Sequence, residues 1–530
     1  MISLFAAFKN QWTLMFRTER AIMVGILALG VFLRAFRLDV FEFKADELEG
    51  ITLGLAAPAQ HWWIEHGATS SVQIPFGPAF CYIMGLLTNV THDPYILTGF
   101  ILAANIVILM LSVLFFAEFS RDRRQFLLCV LLFSLSPYLI IFSRKIWQPN
   151  LMLLFIIPLV LMIIKVRRDP RLFLPIGLLS SIVVQLHHSG IFYIPLLICF
   201  AVLMRYWRPD REDEVDSAAL SHRRTAVPWA VGGFIAFVTL LIPYLTFLFR
   251  NFQHTGIRQW LSSASSDSCV LGALKWLLFT PTGSNFWRAM FSGKASDWNW
   301  PVAPFPGAIL FFSYLLIIPF LMGVFKYAAA AVRFVRDRSP GQTALFELKE
   351  LLCPLSIGYL FLVYCFVLHR GRPHHYVIIL PFLILALSRG ILDLTEFWKG
   401  RETARRVLLC FALISYVLQY PFVLAYVNAR NGSMGEYGVC YREQKNAAKE
   451  IAELAARKQT KVIHLASVDE SLAPSPKAEL RETIAYICRA DFGIEVVFNA
   501  DPEPGAKVLR LVKTGETLHL KLGEWRSGDF

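Results

Sequence analysis

Apolar runs close to twenty residues long, separated by short polar turns, fill the first four-fifths of the chain. AIMVGILALGVFLRAF begins at 21, and PYILTGFILAANIVILMLSVLFF begins at 94. About twenty apolar residues in a helix cross the hydrocarbon core of a bilayer. The pattern predicts about eleven crossings, over 21–38, 94–119, 125–142, 149–165, 171–186, 190–205, 226–248, 305–327, 350–368, 374–391 and 405–427. PFGPAFCYIMGLLTNV at 75–90 is apolar but short and carries Gly and Pro, so it reads as a helix lying at the membrane face. Past 428 the pattern changes. CYREQKNAAKEIAELAARK and KAELRETIAYICRA read as helices, and KVIHLA, IEVVF, KVLRLVK and TLHLKL as strands; the alternation in KVLRLVK suits a half-buried strand. The expected fold is an all-α polytopic membrane domain over 1–427, with external loops at 39–93 and 249–304, followed by a small extracytoplasmic α/β domain over 428–530.

Composition strengthens the membrane reading. Of 530 residues, 56% are hydrophobic and only 17% charged, where soluble domains carry roughly a quarter charged residues. Mean hydropathy is +0.51. The net charge of +13 does not point to nucleic acid, because the basic residues sit in short clusters between apolar runs. Those clusters are Lys9, Arg17 and Arg20; Arg121, Arg123 and Arg124; Lys165, Arg167 and Arg168; Arg205, Arg208 and Arg211; Lys326, Arg333, Arg336 and Arg338; and Lys399, Arg401, Arg405 and Arg406. All fall on one side if the crossings alternate, and cytoplasmic loops are the ones enriched in Lys and Arg. The N-terminus is therefore expected inside and the C-terminus outside, with the first helix a retained anchor because no small-residue cleavage site follows it. The nine cysteines match no metal-binding spacing. Cys440 and Cys488 lie in the external tail, where an oxidising compartment would let them pair.

The short external loops hold the candidate chemistry. They read SRKIWQPN (143–150), QLHHSG (185–190) and HRGRPHHY (369–376). Every histidine except His222 falls outside or at the outer rim. Arg144, Lys145, Arg370 and Arg372 are basic residues on the side that topology depletes of them, which calls for a local reason such as an anionic ligand. The guanidinium fork matches phosphate oxygens, and His374 and His375 add donors beside it. Lipid headgroups are the bland alternative. On the same side, FEFKADELEG (41–50) gathers Glu42, Asp46, Glu47 and Glu49. A solvated helix start accounts for Glu49 and Glu42; Asp46 and Glu47 suit a base or metal ligand opposite a departing phosphate. Trp260, Trp276, Trp287, Trp298 and Trp300 in or near the 249–304 loop suit sugar stacking or an interfacial belt.

This ordered set resembles the GT-C membrane glycosyltransferases, in particular the branch of bacterial protein mannosyltransferases and aminoarabinose transferases (glycosyltransferase families 39 and 83). The Asp46-Glu47 pair in the first external loop resembles that family's hallmark. SLSPYLIIFSRKIWQPN, QLHHSG and HHYVIILPFLILAL are similar to its later rim motifs, over roughly residues 20 to 390. The resemblance implies transfer of a sugar from a polyprenyl-phosphate donor to a lipid, glycan or protein acceptor on the outer face of the plasma (bacterial inner) membrane. It implies Asp46 as the general base and Glu47 as its orienting partner. It implies a donor-phosphate site among Arg144, Lys145, Arg370, Arg372, His374, His375 and Tyr376, and substrate contacts from Trp147, Gln148, Asn150, His187, His188 and Trp298. A divalent metal on Asp46 and Glu47 is left open, and Asp297 is the nearest later carboxylate. The last motif departs from the family in having His rather than Arg before Tyr376. Absence of a Gly-rich nucleotide loop accords with a lipid-linked donor. The rival expectation is a transporter or flippase of a lipid-linked glycan, against which no internal repeat is visible.

Overall fold

A computed structural model describes residues 2–70, 74–206, 217–251, 269–283, 304–337, 342–366, 373–397, 402–433, 437–465, 468–469, 477–498, 507–514 and 517–524. The chain is predominantly helical, and seven helical stretches among the described residues are long and apolar enough to cross a membrane. They are Pro94–Phe119, His188–Arg205, Ala226–Arg250, Ala308–Phe334, Leu348–Phe366, His374–Leu394 and Arg406–Arg430. Each overlaps an expected crossing. Large apolar side chains such as Phe234, Phe325 and Leu362 face outward on them, as lipid-embedded helices require. The protein is membrane-embedded.

The other four expected crossings are helical but do not meet that standard, for separate reasons. The Arg17–Ala35 helix carries Glu19, Arg20 and Arg34. Arg34 is buried, and its guanidinium donates to the Gly30 carbonyl (2.8 Å) and the Ser134 carbonyl (2.6 Å). The run at 125–142 divides into Arg123–Ser134 and Pro137–Phe142, because the residue before a proline is steered out of the helical region. Ser136 then caps the second piece, accepting from the Leu139 N–H at 3.4 Å. The run at 149–165 begins as a 3-10 turn, Gln148–Leu151, and only Met152–Ile163 is α-helical. Phe173–Leu186 has 14 residues, about 21 Å of helix against a core of about 30 Å. The expected surface helix is Ala79–Thr88, 10 residues long, and is too short to cross.

His374–Leu394 is the central span, with 83% of its apolar window buried against at most 56% for any other. It crosses Ile317–Asp337 backbone to backbone. A Cβ added at Gly323 would lie 1.7 Å from the Ala386 carbonyl oxygen, and one at Gly390 would lie 1.6 Å from that of Pro319. Small residues at helix contacts are how membrane helices gain close packing. Gly390→Ala is therefore expected to lower thermal stability in detergent by about 1–3 kcal/mol, the scale of overpacking. Gly358→Ala, which meets nothing within 4 Å, is the control; equal melting of the two variants would rule out the tight crossing.

The tail follows the Glu402–Arg430 helix. Helices Tyr441–Arg457 and Lys477–Phe492 pack together beside two small sheets. Strands β1 (Val462–Leu465) and β3 (Glu495–Phe498) are parallel, with Val462 opposite Glu495. Strand β2 (Val468–Asp469) pairs in parallel with β4 (Lys507–Thr514), which forms an antiparallel hairpin with β5 (Thr517–Glu524). The tail is fastened to the segment between the Arg17–Ala35 and Pro94–Phe119 helices. Tyr441 stacks on Phe41 at 4.6 Å between ring centroids, and its N–H donates to the Phe41 carbonyl. Gln444 donates to the Phe43 carbonyl (2.8 Å), and the Tyr486 hydroxyl donates to the His92 carbonyl (2.8 Å). Cys440 and Cys488 do not pair. Both are buried free thiols, and Cys440 instead forms an antiparallel bridge with Glu42.

Candidate functional site

The acidic stretch starts a helix and divides its carboxylates by direction. Ala45–Ala56 begins after Lys44, whose backbone is extended. Glu47, three positions into that start, turns back to accept from the Lys44 N–H at 2.8 Å. This satisfies one of the free donors at a helix N-terminus. Glu47 is fully buried, whereas Asp46, one position earlier, is exposed and makes no ion pair among the described residues.

Lys145, from the SRKIWQPN turn, meets the buried acids. Its Nζ lies 3.0 Å from Glu47 and 3.1 Å from Glu42, and Lys44 adds a second cation 2.9 Å from Glu42. Burial raises the Glu42 carboxyl, but the charges of Lys145 and Lys44 outweigh it and hold that carboxyl below its ordinary value. Glu47 has only a share of Lys145. Its burial dominates, Lys145 offsets part of it, and Glu42 and Asp46 add repulsion, so its carboxyl is pushed up to about 7. Burial works against the Lys145 ammonium, yet the surrounding carboxylates raise it above its ordinary value. Lys145, expected on the donor phosphate, is thus placed as counter-charge to the acidic loop. Glu42, expected at a solvated helix start, is half of that pair.

The same turn reaches two other places. Arg144 is buried and donates to the Tyr420 hydroxyl and the Arg37 carbonyl, while its Nε has no partner among the described residues. It lines a crevice with Glu42, Lys145, Tyr420, Tyr437 and Val423. Trp147 carries the Lys145 ammonium 4.9 Å from its ring and meets His374 edge-on at 4.7 Å. Asn150 closes the turn by donating to the Lys145 carbonyl at 2.8 Å, and Gln148 is buried behind it.

Beyond Trp147 three imidazoles converge. His187 lies between the Phe173–Leu186 and His188–Tyr206 helices, and His374 and His375 lie in the 3-10 turn Pro373–Ile379. The His187 ring is 5.5 Å from His374 and 5.4 Å from His375, and the latter two are 4.4 Å apart. Their candidate ligand nitrogens all lie within 4.8 Å of one another. His187 Nδ1 is 2.8 Å from Ser189 Oγ and 3.2 Å from the Ser189 backbone nitrogen. Burial, with His375 and His188 nearby, pushes the His187 imidazole below its ordinary range, so it is neutral.

His188 is not part of this group, since its Nε2 lies 3.3 Å from the Pro75 carbonyl and its ring stacks on Phe76 at 4.4 Å. Tyr376 points into the core, where its hydroxyl donates to the Ala273 carbonyl at 2.9 Å. Arg370, Arg372, Asp297 and Trp298 lie outside the described residues, as do Trp260, Trp287 and Trp300; Trp276 lies on the Cys269–Phe279 helix. Sequence reasoning missed Tyr420 and Tyr437, which come from the last span and the tail. Tyr420 carried one signal, its place among Tyr416, Phe422 and Tyr426 near the end of an apolar helix; Tyr437 carried none. No family model matches this chain, and no curated protein matches it.

Proposed function

We propose that the protein is a membrane glycosyltransferase of GT-C-like, roughly eleven-span topology. It takes a sugar from a polyprenyl-phosphate donor on the outer face of the plasma membrane and passes it to a lipid, glycan or protein hydroxyl. One observation carries the reading. Segments 41–50, 143–150, 187 and 374–375 are far apart in sequence, yet they form one continuous chain of contacts from Glu47 through Lys145 and Trp147 to His374 and His187.

In the proposed reaction the acceptor oxygen attacks the anomeric carbon. The bond from that carbon to the phosphate oxygen breaks, and its electron pair leaves with the polyprenyl phosphate. The acceptor proton passes to the Asp46 carboxylate, the exposed member of the pair. Arg144 bears the orphaned donor for the phosphate, at a crevice whose Ile141, Val423, Leu424 and Val427 suit an adjoining polyprenyl tail. Glu47 and Lys145 position this edge. The six basic clusters support a cytoplasmic N-terminus and an external tail.

The test is transfer by purified protein in nanodiscs supplied with radiolabelled polyprenyl-phosphate sugars and an envelope extract as acceptor. Free polyprenyl phosphate should appear together with labelled acceptor. Movement of the intact lipid-linked sugar across the bilayer, with no bond cleaved, would instead establish a transporter.

A further inference from the structure

We propose that His187, His374 and His375 form a binding site for a transition-metal dication of the zinc class, separate from the acidic pair. Their ligand nitrogens lie within 4.8 Å of one another. Zinc–nitrogen bonds of about 2.0–2.1 Å in tetrahedral geometry set the nitrogens about 3.4 Å apart, so ring rotation and a small inward shift complete the site. Three imidazoles without a carboxylate favour zinc, or cobalt in its place, over magnesium, calcium or manganese, which prefer oxygen.

The surroundings fix the rings as a metal site needs. Protonated at Nδ1, His187 donates to Ser189 Oγ at 2.8 Å, which leaves Nε2 as the lone pair that a metal would take, the outer-shell arrangement that orients ligating histidines. The Tyr364 hydroxyl donates to the His375 carbonyl at 2.8 Å and its ring stacks on the imidazole at 5.3 Å. Trp147 holds His374 from the other side. Three protein ligands leave a fourth position for an outside ligand. Glu47, by contrast, is committed to Lys145 and to its helix start, so it is poorly placed to hold a metal with Asp46.

In the opposite tautomer, with Ser189 N–H donating to Nδ1, His187 carries its hydrogen on Nε2 and cannot ligate a metal through that atom until the proton moves. Metal binding decides between them, whether or not the protein transfers sugar. Protein carrying no polyhistidine tag would be stripped with a chelator and titrated with Zn2+ alone, metal content being read by mass spectrometry. Co2+ would report geometry through its visible spectrum. About one equivalent should bind, with the intense bands of a tetrahedral site. His187→Gln and His375→Gln should each weaken binding at least tenfold, whereas His464→Gln, on an exposed strand position of the tail, should not. Unfolding curves would be recorded for every variant, and Ser189→Ala, which leaves all three ligands in place, should weaken binding about 10–100-fold. Wild-type protein that takes up no zinc, or His187→Gln and His375→Gln variants that keep full affinity, would overturn the site.

Discussion

Asp46→Asn is expected to lower transfer turnover by about 100-fold or more, the scale of losing a general base, with little change in donor KM. The substitution keeps the size and the helix-start position while removing the basicity. Asp46 is exposed in the first turn of Ala45–Ala56, where the positive end of the helix favours an anion. Its neighbour cannot easily replace it, because the Glu47 carboxylate faces inward, on Lys145 and the Lys44 N–H. The proposed donor contacts lie on other segments, so donor binding should survive. Steady-state kinetics at varied donor concentration would check both parts. Near-normal turnover in Asp46→Asn with none in Glu47→Gln would invert the assignment within the pair. Normal turnover in both would reduce the stretch to a helix start.

How far the sequence reveals this arrangement differs from residue to residue. Apolar length alone locates the seven long spans, since a lipid-facing helix must be apolar along much of its surface. It misjudges runs whose backbone is interrupted. Hydropathy does not register that Pro137 turns Ser136 out of the helix, and it averages over Arg34, a charge whose cost is met by two carbonyls on different helices. At the site, the grouping of acids, of Arg144 with Lys145 and of paired histidines is readable, because each group falls in one short stretch between apolar runs. The division of labour within each group is not. Asp46 and Glu47 are adjacent and chemically alike; only Lys145, about a hundred residues on, decides which is buried. His187 and His188 likewise part, one toward His374 and His375 and the other toward Pro75 and Phe76. The tail was legible as a mixed α/β segment, but its clamp on Phe41 and Phe43 depends on contacts about four hundred residues apart.

Lys145→Met is expected to destabilise the protein by about 3–5 kcal/mol, because removing one member of a buried ion pair leaves the other charge uncompensated. Here two carboxylates are left. Glu47 would lose its only ion-pair partner among the described residues, and Glu42 would keep Lys44 alone. The sign of the pH dependence follows from the raised carboxyl of Glu47. In the wild type it stands near 7 in the fold against 4.5 as its ordinary value, so the folded state holds that proton more tightly than the unfolded chain. Its contribution is fullest below about pH 4.5 and is lost as pH rises through about 7. Without Lys145 the carboxyl rises further and the loss deepens. The variant should therefore melt well below wild type at pH 8 and recover part of the difference at pH 5. Adding Glu47→Gln should restore stability at high pH, since the amide keeps the volume without a charge. Thermal unfolding of the single and double variants at the two pH values would measure this. A Lys145→Met protein as stable as wild type at pH 8 would mean that Lys145 is not the counter-charge that holds Glu47 inside and leaves Asp46 outside.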